Sequence, residues 1–210
     1  FIERRTLTLD EPATDIAIRH GIAVLYNSKD NNAHDIVKLD LSTLETTEYV
    51  TDNPVDSLQI SPSGSHAVAT LRPKNDGSQE GLDGYQTSRW GLAVAHLETD
   101  DVVTLVLESA PVGLELVEHA DAEYALLLLE GVEDLIQLDL SAPGNYTTLA
   151  LPSAPAGISS SPNDSFTIAH HSALGQVSFL DPSSGIIQTT GGFATANFFS
   201  EDRLPRRGTD

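Results

Sequence analysis

The chain has 210 residues, 31 acidic against 11 Lys and Arg, and a formal net charge of −20, which excludes nucleic acid and anionic membrane surfaces as partners because affinity for polyanions rests on basic residues neutralising phosphates. With no Cys it has no disulfides, thiolate metal sites or cysteine nucleophiles. Hydrophobic residues at 40%, with 11 Pro and 15 Gly, suit a packed, turn-rich soluble domain, and no apolar run approaches the ~20 residues needed to span a bilayer, so no membrane insertion is expected.

In chain order, the sequence opens Phe1-Ile2-Glu3-Arg4-Arg5 without Met and without the apolar core of a signal peptide, so a processed or excised piece is expected. Residues 6–9 read as an outer strand with no earlier partners. A landmark then recurs four times: a proline, two or three small or acidic residues, and a short alternating strand. Its copies start at Pro12, Pro54, Pro111 and Pro155, at intervals of 42, 57 and 44 residues. A second landmark, a hydrophobic residue and an acid before a turn, recurs as Leu39-Asp40, Leu97-Glu98, Leu138-Asp139 and Leu180-Asp181. Strands in the second unit are expected over 57–61, 66–71, 90–97 and 102–107, with a turn at Pro62-Ser63-Gly64, and in the third over 114–117, 124–129, 134–140 and 146–151. Residues 193–199 read as a fifth inner strand, and 201–210 as a flexible tail holding the basic run Leu204-Pro205-Arg206-Arg207-Gly208.

A repeat just above 40 residues with four short strands defines an all-β, β-propeller fold of four-stranded antiparallel blades. The expected blades cover about 12–53, 54–110, 111–154 and 155–191, within one propeller domain, or part of one, over 1–200. The unpaired terminal strands point to a segment of a larger propeller of six to eight blades, or a half joined by another chain. Proline pre-sets φ in the inter-blade connection, and the acid closing each third strand can accept N–H bonds in the following turn. Leu58 to Leu71 (LQISPSGSHAVATL), Ile36 to Thr51 and Val177 to Thr190 resemble the strands of bacterial propellers of the WD-like, Tol and YVTN types. The resemblance implies a fold and carries over no functional residue, since the Gly-His and Trp-Asp pairs of WD repeats are absent.

The widest departure from the period is an insertion over 74–88. Its Asp76-x-Ser78-x-Glu80-Gly81-x-Asp83 spacing partly matches a calcium loop, but Glu stands at the fifth position and Thr87 where an EF-type loop carries its bidentate acid. The segment therefore reads first as a partner-contacting loop with Asp76, Ser78, Glu80, Asp83, Tyr85 and Trp90, and second as a calcium site. Asp15, Asp56, Glu115 and Glu118 lie near inner strands and are the candidates for a channel mouth. His20 and His119 occupy equivalent turns, where other units carry Pro62 and Pro162, and the adjacent His170 and His171 should face opposite ways on one strand. No nucleophile elbow, zincin helix or phosphate loop is present. Two sequons, at Asn145 and Asn163, fall in turns.

A regular repeat without recognisable local chemistry points to a non-catalytic module that scaffolds protein–protein contact through its rims and the 74–88 loop. Its partner would be another protein or another part of the same propeller. The alternatives are a propeller enzyme of hydrolase, lyase or lactonase type with a metal in the central channel, and an extracytoplasmic sensor using Tyr26, Tyr49, Tyr85 and Trp90. An extracytoplasmic location is expected. Three Lys against 31 acids also fit adaptation to high salt: self-repulsion should destabilise the fold at low ionic strength, so Tm is expected to rise into molar salt, and an unchanged Tm in a thermal melt would contradict it.

Overall fold

A computed structural model describes residues 12–74, 87–161, 166–171, 175–181 and 184–192. Over these residues the alternation of apolar and polar side chains becomes four antiparallel sheets, each of four strands. The first holds β1 (Asp15–Arg19), β2 (Ile22–Tyr26), β3 (Asp35–Asp40) and β4 (Thr46–Val50). The second holds β5 (Val55–Ile60), β6 (His66–Leu71), β7 (Gly91–His96) and β8 (Val102–Val106). The third is built from β9 (Pro111–His119), β10 (Ala122–Leu129), β11 (Asp134–Asp139) and β12 (Tyr146–Ala150). The fourth is built from β13 (Gly157–Ser160), β14 (Thr167–His171), β15 (Gln176–Asp181) and β16 (Ile186–Gly191). In every sheet the strands lie side by side in chain order, the meander of a propeller blade.

Two inner strands differ from their sequence expectation. β9 runs well beyond 114–117 and begins at Pro111 itself, which pairs with Leu129 across an irregularity between Leu128 and Leu129; at the first position of a strand the missing N–H is tolerated. β5 starts at Val55 rather than 57, with a register shift between Val55 and Ser57 that adds a residue without changing the buried face. The strands expected over 6–9 and 193–199, the tail, and the second sequon's Asn163 lie outside the described residues. No described helix is long and apolar enough to cross a membrane.

The chain divides into two compact units, Phe1–Glu108 and Ser109–Asp210. In the first, Val24, Ile36 and Tyr49 of the first sheet pack against a face of the second that carries Leu58, Leu71 and four alanines. The alanines pair across strands as Ala67 with Ala95 and Ala69 with Ala93, a small-residue patch that lets larger side chains of the first sheet approach. Polar staples join the same two sheets: His20 Nε2 donates to Pro62 O at 2.7 Å, and Lys38 Nζ donates to Leu97 O. In the second unit Val117, Leu126, Leu128 and Leu135 pack with Ile158, Ala169 and Leu180. The sheets come so close there that a Cβ on Gly113 would lie 2.9 Å from Ile158 Cγ2.

The acid landmark has the role its position suggests. Asp40 Oδ1 accepts the N–H of Ser42 at 2.7 Å, the Ser42 hydroxyl at 2.6 Å and the N–H of Thr43 at 3.0 Å. Asp139 Oδ1 does the same for the N–H and hydroxyl of Ser141, at 2.9 and 2.7 Å. The second sheet uses another acceptor, since the N–H of Glu98 donates to His96 Nδ1 at 3.3 Å. The Ser42 hydroxyl first, then the turn N–H groups, hold Asp40 at about 2, below its ordinary 3.8. A carboxylate depressed in the folded state contributes stability above its unfolded value, and that stability is lost as pH falls through the folded one. Thermal melts between pH 4 and pH 2 are therefore expected to show a falling Tm, with a smaller fall in Asp40→Asn; equal slopes would contradict the turn's role.

Candidate functional site

The inner strands place the predicted channel-mouth acids in bonded surroundings. Asp15 opens β1, and its Oδ2 accepts the hydroxyls of Thr14 and Ser28, both at 2.6 Å, and the Ser28 N–H at 3.2 Å. Those bonds, the Ser28 hydroxyl foremost, hold Asp15 below the usual carboxylate range. Asp15 pairs across the ladder with Tyr26, whose hydroxyl is pushed up by burial first and by the Asp15 charge second, with Asp56 contributing. Asp56 lies 3.7 Å from Arg72 Nε, and Arg72 Nη2 donates to Asp30 O and Val55 O, both at 3.4 Å. The structure thus gathers Asp15, Tyr26, Asp56 and Arg72 in the first unit. Glu115, half-buried opposite Leu126, and Glu118, exposed opposite Glu123, belong to β9 of the second unit.

The histidines are structural groups in the same sense. His20 is committed to the Pro62 carbonyl, which explains its turn position better than an ion would. His119 Nε2 lies 3.8 Å from Asp181 Oδ1, joining the third and fourth sheets. His170 and His171 face opposite ways on β14, as their adjacency requires; His170 is half-buried and His171 is 0% exposed. His171 Nδ1 donates to Ser153 O at 3.0 Å. Its Nε2 then accepts the Ser178 hydroxyl at 2.8 Å, and Ser178 Oγ is 2.8 Å from Thr189 Oγ1. Burial holds both rings below their ordinary value, and the His171 charge adds to the effect at His170. Among the described residues no group of three or more His, Asp or Glu stands where it could hold a metal ion.

Of the predicted loop residues, Asp76, Ser78, Glu80, Asp83 and Tyr85 lie outside the described residues, and so does the calcium-like spacing. Trp90 is described and half-buried. The base of the segment is closed by Lys74 N–H donating to Thr87 O at 2.7 Å. Tyr49, expected as an exposed aromatic, is instead a core residue at 2% exposure, because its side of β4 faces the second sheet. Its hydroxyl donates to Asp100 Oδ1 at 3.5 Å, and burial, then the Asp100 charge, push it up to about 12. Among the described residues the aromatics that stand exposed are Tyr146, Phe166 and Phe179, the last two with ring centroids 6.3 Å apart.

A polar cleft also lies beside Trp90, marked by no local motif in the sequence. Asp52 and Asn53, in the connection between the first two sheets, line it with Trp90, Gly91 and the end of β8. The signal is faint: Asn53 precedes a repeat proline where the third and fourth units carry Ala110 and Ala154.

No protein-family model and no curated protein matches the chain. Solved structures do. The β-propeller domain of Cps50 (Swd1) from Myceliophteria thermophila is 14% identical with a TM-score of 0.58, over 90% of this chain and 59% of that one. The dihydro-heme d1 dehydrogenase NirN in complex with DHE is 13% identical with a TM-score of 0.54, over 80% of this chain and 34% of that one. Hydrazine synthase of Kuenenia stuttgartiensis is 17% identical with a TM-score of 0.47, over 78% and 50%. The chain thus spans between 34% and 59% of the lengths of these structures. The first two likenesses show the fold, which with the four-stranded sheets is that of a β-propeller or part of one.

Proposed function

We propose that this propeller is a non-catalytic module whose task is protein–protein contact, its partner being another protein or another part of the same propeller. The observation that carries the reading is the second face of the first sheet. Ile16 and Ile18 on β1 are 56% and 63% exposed and Val50 on β4 is 67% exposed. The register puts them on one side, with Leu25 opposite Ile16 and Val37 opposite Leu25, while Val24, Ile36 and Tyr49 fill the core on the other side. A sheet apolar on both faces, with large apolar side chains of one face exposed, is the signature of a surface that associates. The acids and histidines described above support the same reading, because Asp15, Asp56, His20, His119 and His171 each serve the fold. The 74–88 loop is proposed as a second contact on the rim.

The test is the double substitution Ile16→Ser with Ile18→Ser. Both side chains stand in water in the lone chain, so the circular-dichroism spectrum and Tm are expected to stay close to those of the unchanged protein. The partner's mass is expected to disappear from the native mass spectrum. A partner that stays bound at full occupancy would overturn the reading.

A further inference from the structure

The rim where β4, β6 and β8 end and β5 and β7 begin carries the cleft beside Trp90, with a volume of about 220 Å³. A wider, more open cleft of about 390 Å³ shares Asp52 and adds His34, Asp35 and Lys74. Asn53 is 3% exposed, and its Nδ2 donates to Arg89 O at 2.8 Å, which fixes the orientation of the amide. That leaves Oδ1 of this cleft-lining residue buried and without a partner, and Nδ1 of His34, which lines the wider cleft, is left likewise. A buried acceptor with no donor is an uncommon feature of a folded protein and points to a group supplied from outside.

The chemistry of the lining selects that group. Asn53 Oδ1 and the exposed carboxylate of Asp52 are acceptors, so the ligand must be rich in N–H. An indole alongside favours a flat cation over a compact one, because a guanidinium both stacks and donates from a planar fork. The volume suits one side chain and falls below the usual range for a larger small molecule. β8 is the outer strand of its sheet, so the edge beside the cleft offers unpaired backbone groups to an extended segment. A net charge of −20 draws a basic segment toward it.

We propose that this cleft takes the guanidinium of an arginine side chain presented by a protein partner. The proposal rests on the module reading given above and deepens it.

Trp90 is the single tryptophan of the chain, so its emission reports on the cleft alone. The probe is N-acetyl-arginine amide, titrated at fixed ionic strength, with the neutral citrulline amide as control. A saturable change in Trp90 emission is expected with arginine and none with citrulline. Asp52→Asn, an exposed substitution that should leave the fold intact, is expected to weaken the arginine titration several-fold. No saturable change, an equal response to citrulline, or undiminished affinity in Asp52→Asn would each overturn the proposal; the first is the outcome if water alone satisfies Asn53. Two proteins separate the two claims: in Ile16→Ser, Ile18→Ser, arginine binding retained while the partner is lost supports both, whereas in the unchanged protein a partner held normally with no arginine response removes only this one.

Discussion

Replacing His171 with Ala is expected to cost the fold about 3–5 kcal/mol, because it empties a fully buried site and orphans both ends of a hydrogen-bonded chain. The ring is 0% exposed and links Ser153 O to the Ser178 hydroxyl, which in turn meets Thr189. Urea unfolding should show a lower midpoint with an unchanged slope. The substitution should also change the pH dependence. Burial depresses His170 and His171 below 6.5, so the unfolded chain binds more protons than the folded one as pH drops below about 6.5. Stability is then complete above that pH and declines as pH falls toward the folded values. His171→Ala should flatten this decline, and a pH profile parallel to that of the unchanged protein would contradict the assignment.

Leu126→Ala should be comparably damaging, at about 2–5 kcal/mol. Leu126 is 0% exposed on β10 and belongs to the cluster that joins the third and fourth sheets with Val117, Leu128, Ile158 and Leu180. Those sheets already approach so closely at Gly113 that a methyl group would meet Ile158, so they have little freedom to collapse into the space left behind. Equilibrium unfolding of the variant checks this, and a loss under about 1 kcal/mol would show that the inter-sheet packing is looser than described.

The repeat was legible because it is written in local terms. The prolines, the acids Asp40 and Asp139 and the alternation of strands such as β5, where buried Leu58 and Ile60 flank exposed Gln59, each act within a few residues, so spacing alone reveals them. The opposite facing of His170 and His171 follows from strand geometry in the same way. Tyr49 was not legible, since period-two alternation shows that a strand has two faces but not which one meets another sheet. The role of His20 was not legible because its acceptor, Pro62 O, lies 42 residues away. Asn53 is silent in the sequence for the same reason: its amide is fixed by the carbonyl of Arg89, 36 residues on, which leaves Oδ1 without a partner. Site chemistry here is a matter of long-range pairing between sheets, which no window along the chain contains.

The exposed apolar side chains of the first sheet are tested most directly by the mass of the protein in solution, taken from its natural source by native mass spectrometry with light scattering. A particle heavier than this protein's own polypeptide is expected, reduced to that polypeptide by Ile16→Ser with Ile18→Ser. A single stable species at the mass of that polypeptide alone, with Ile16, Ile18 and Val50 in water, would contradict it.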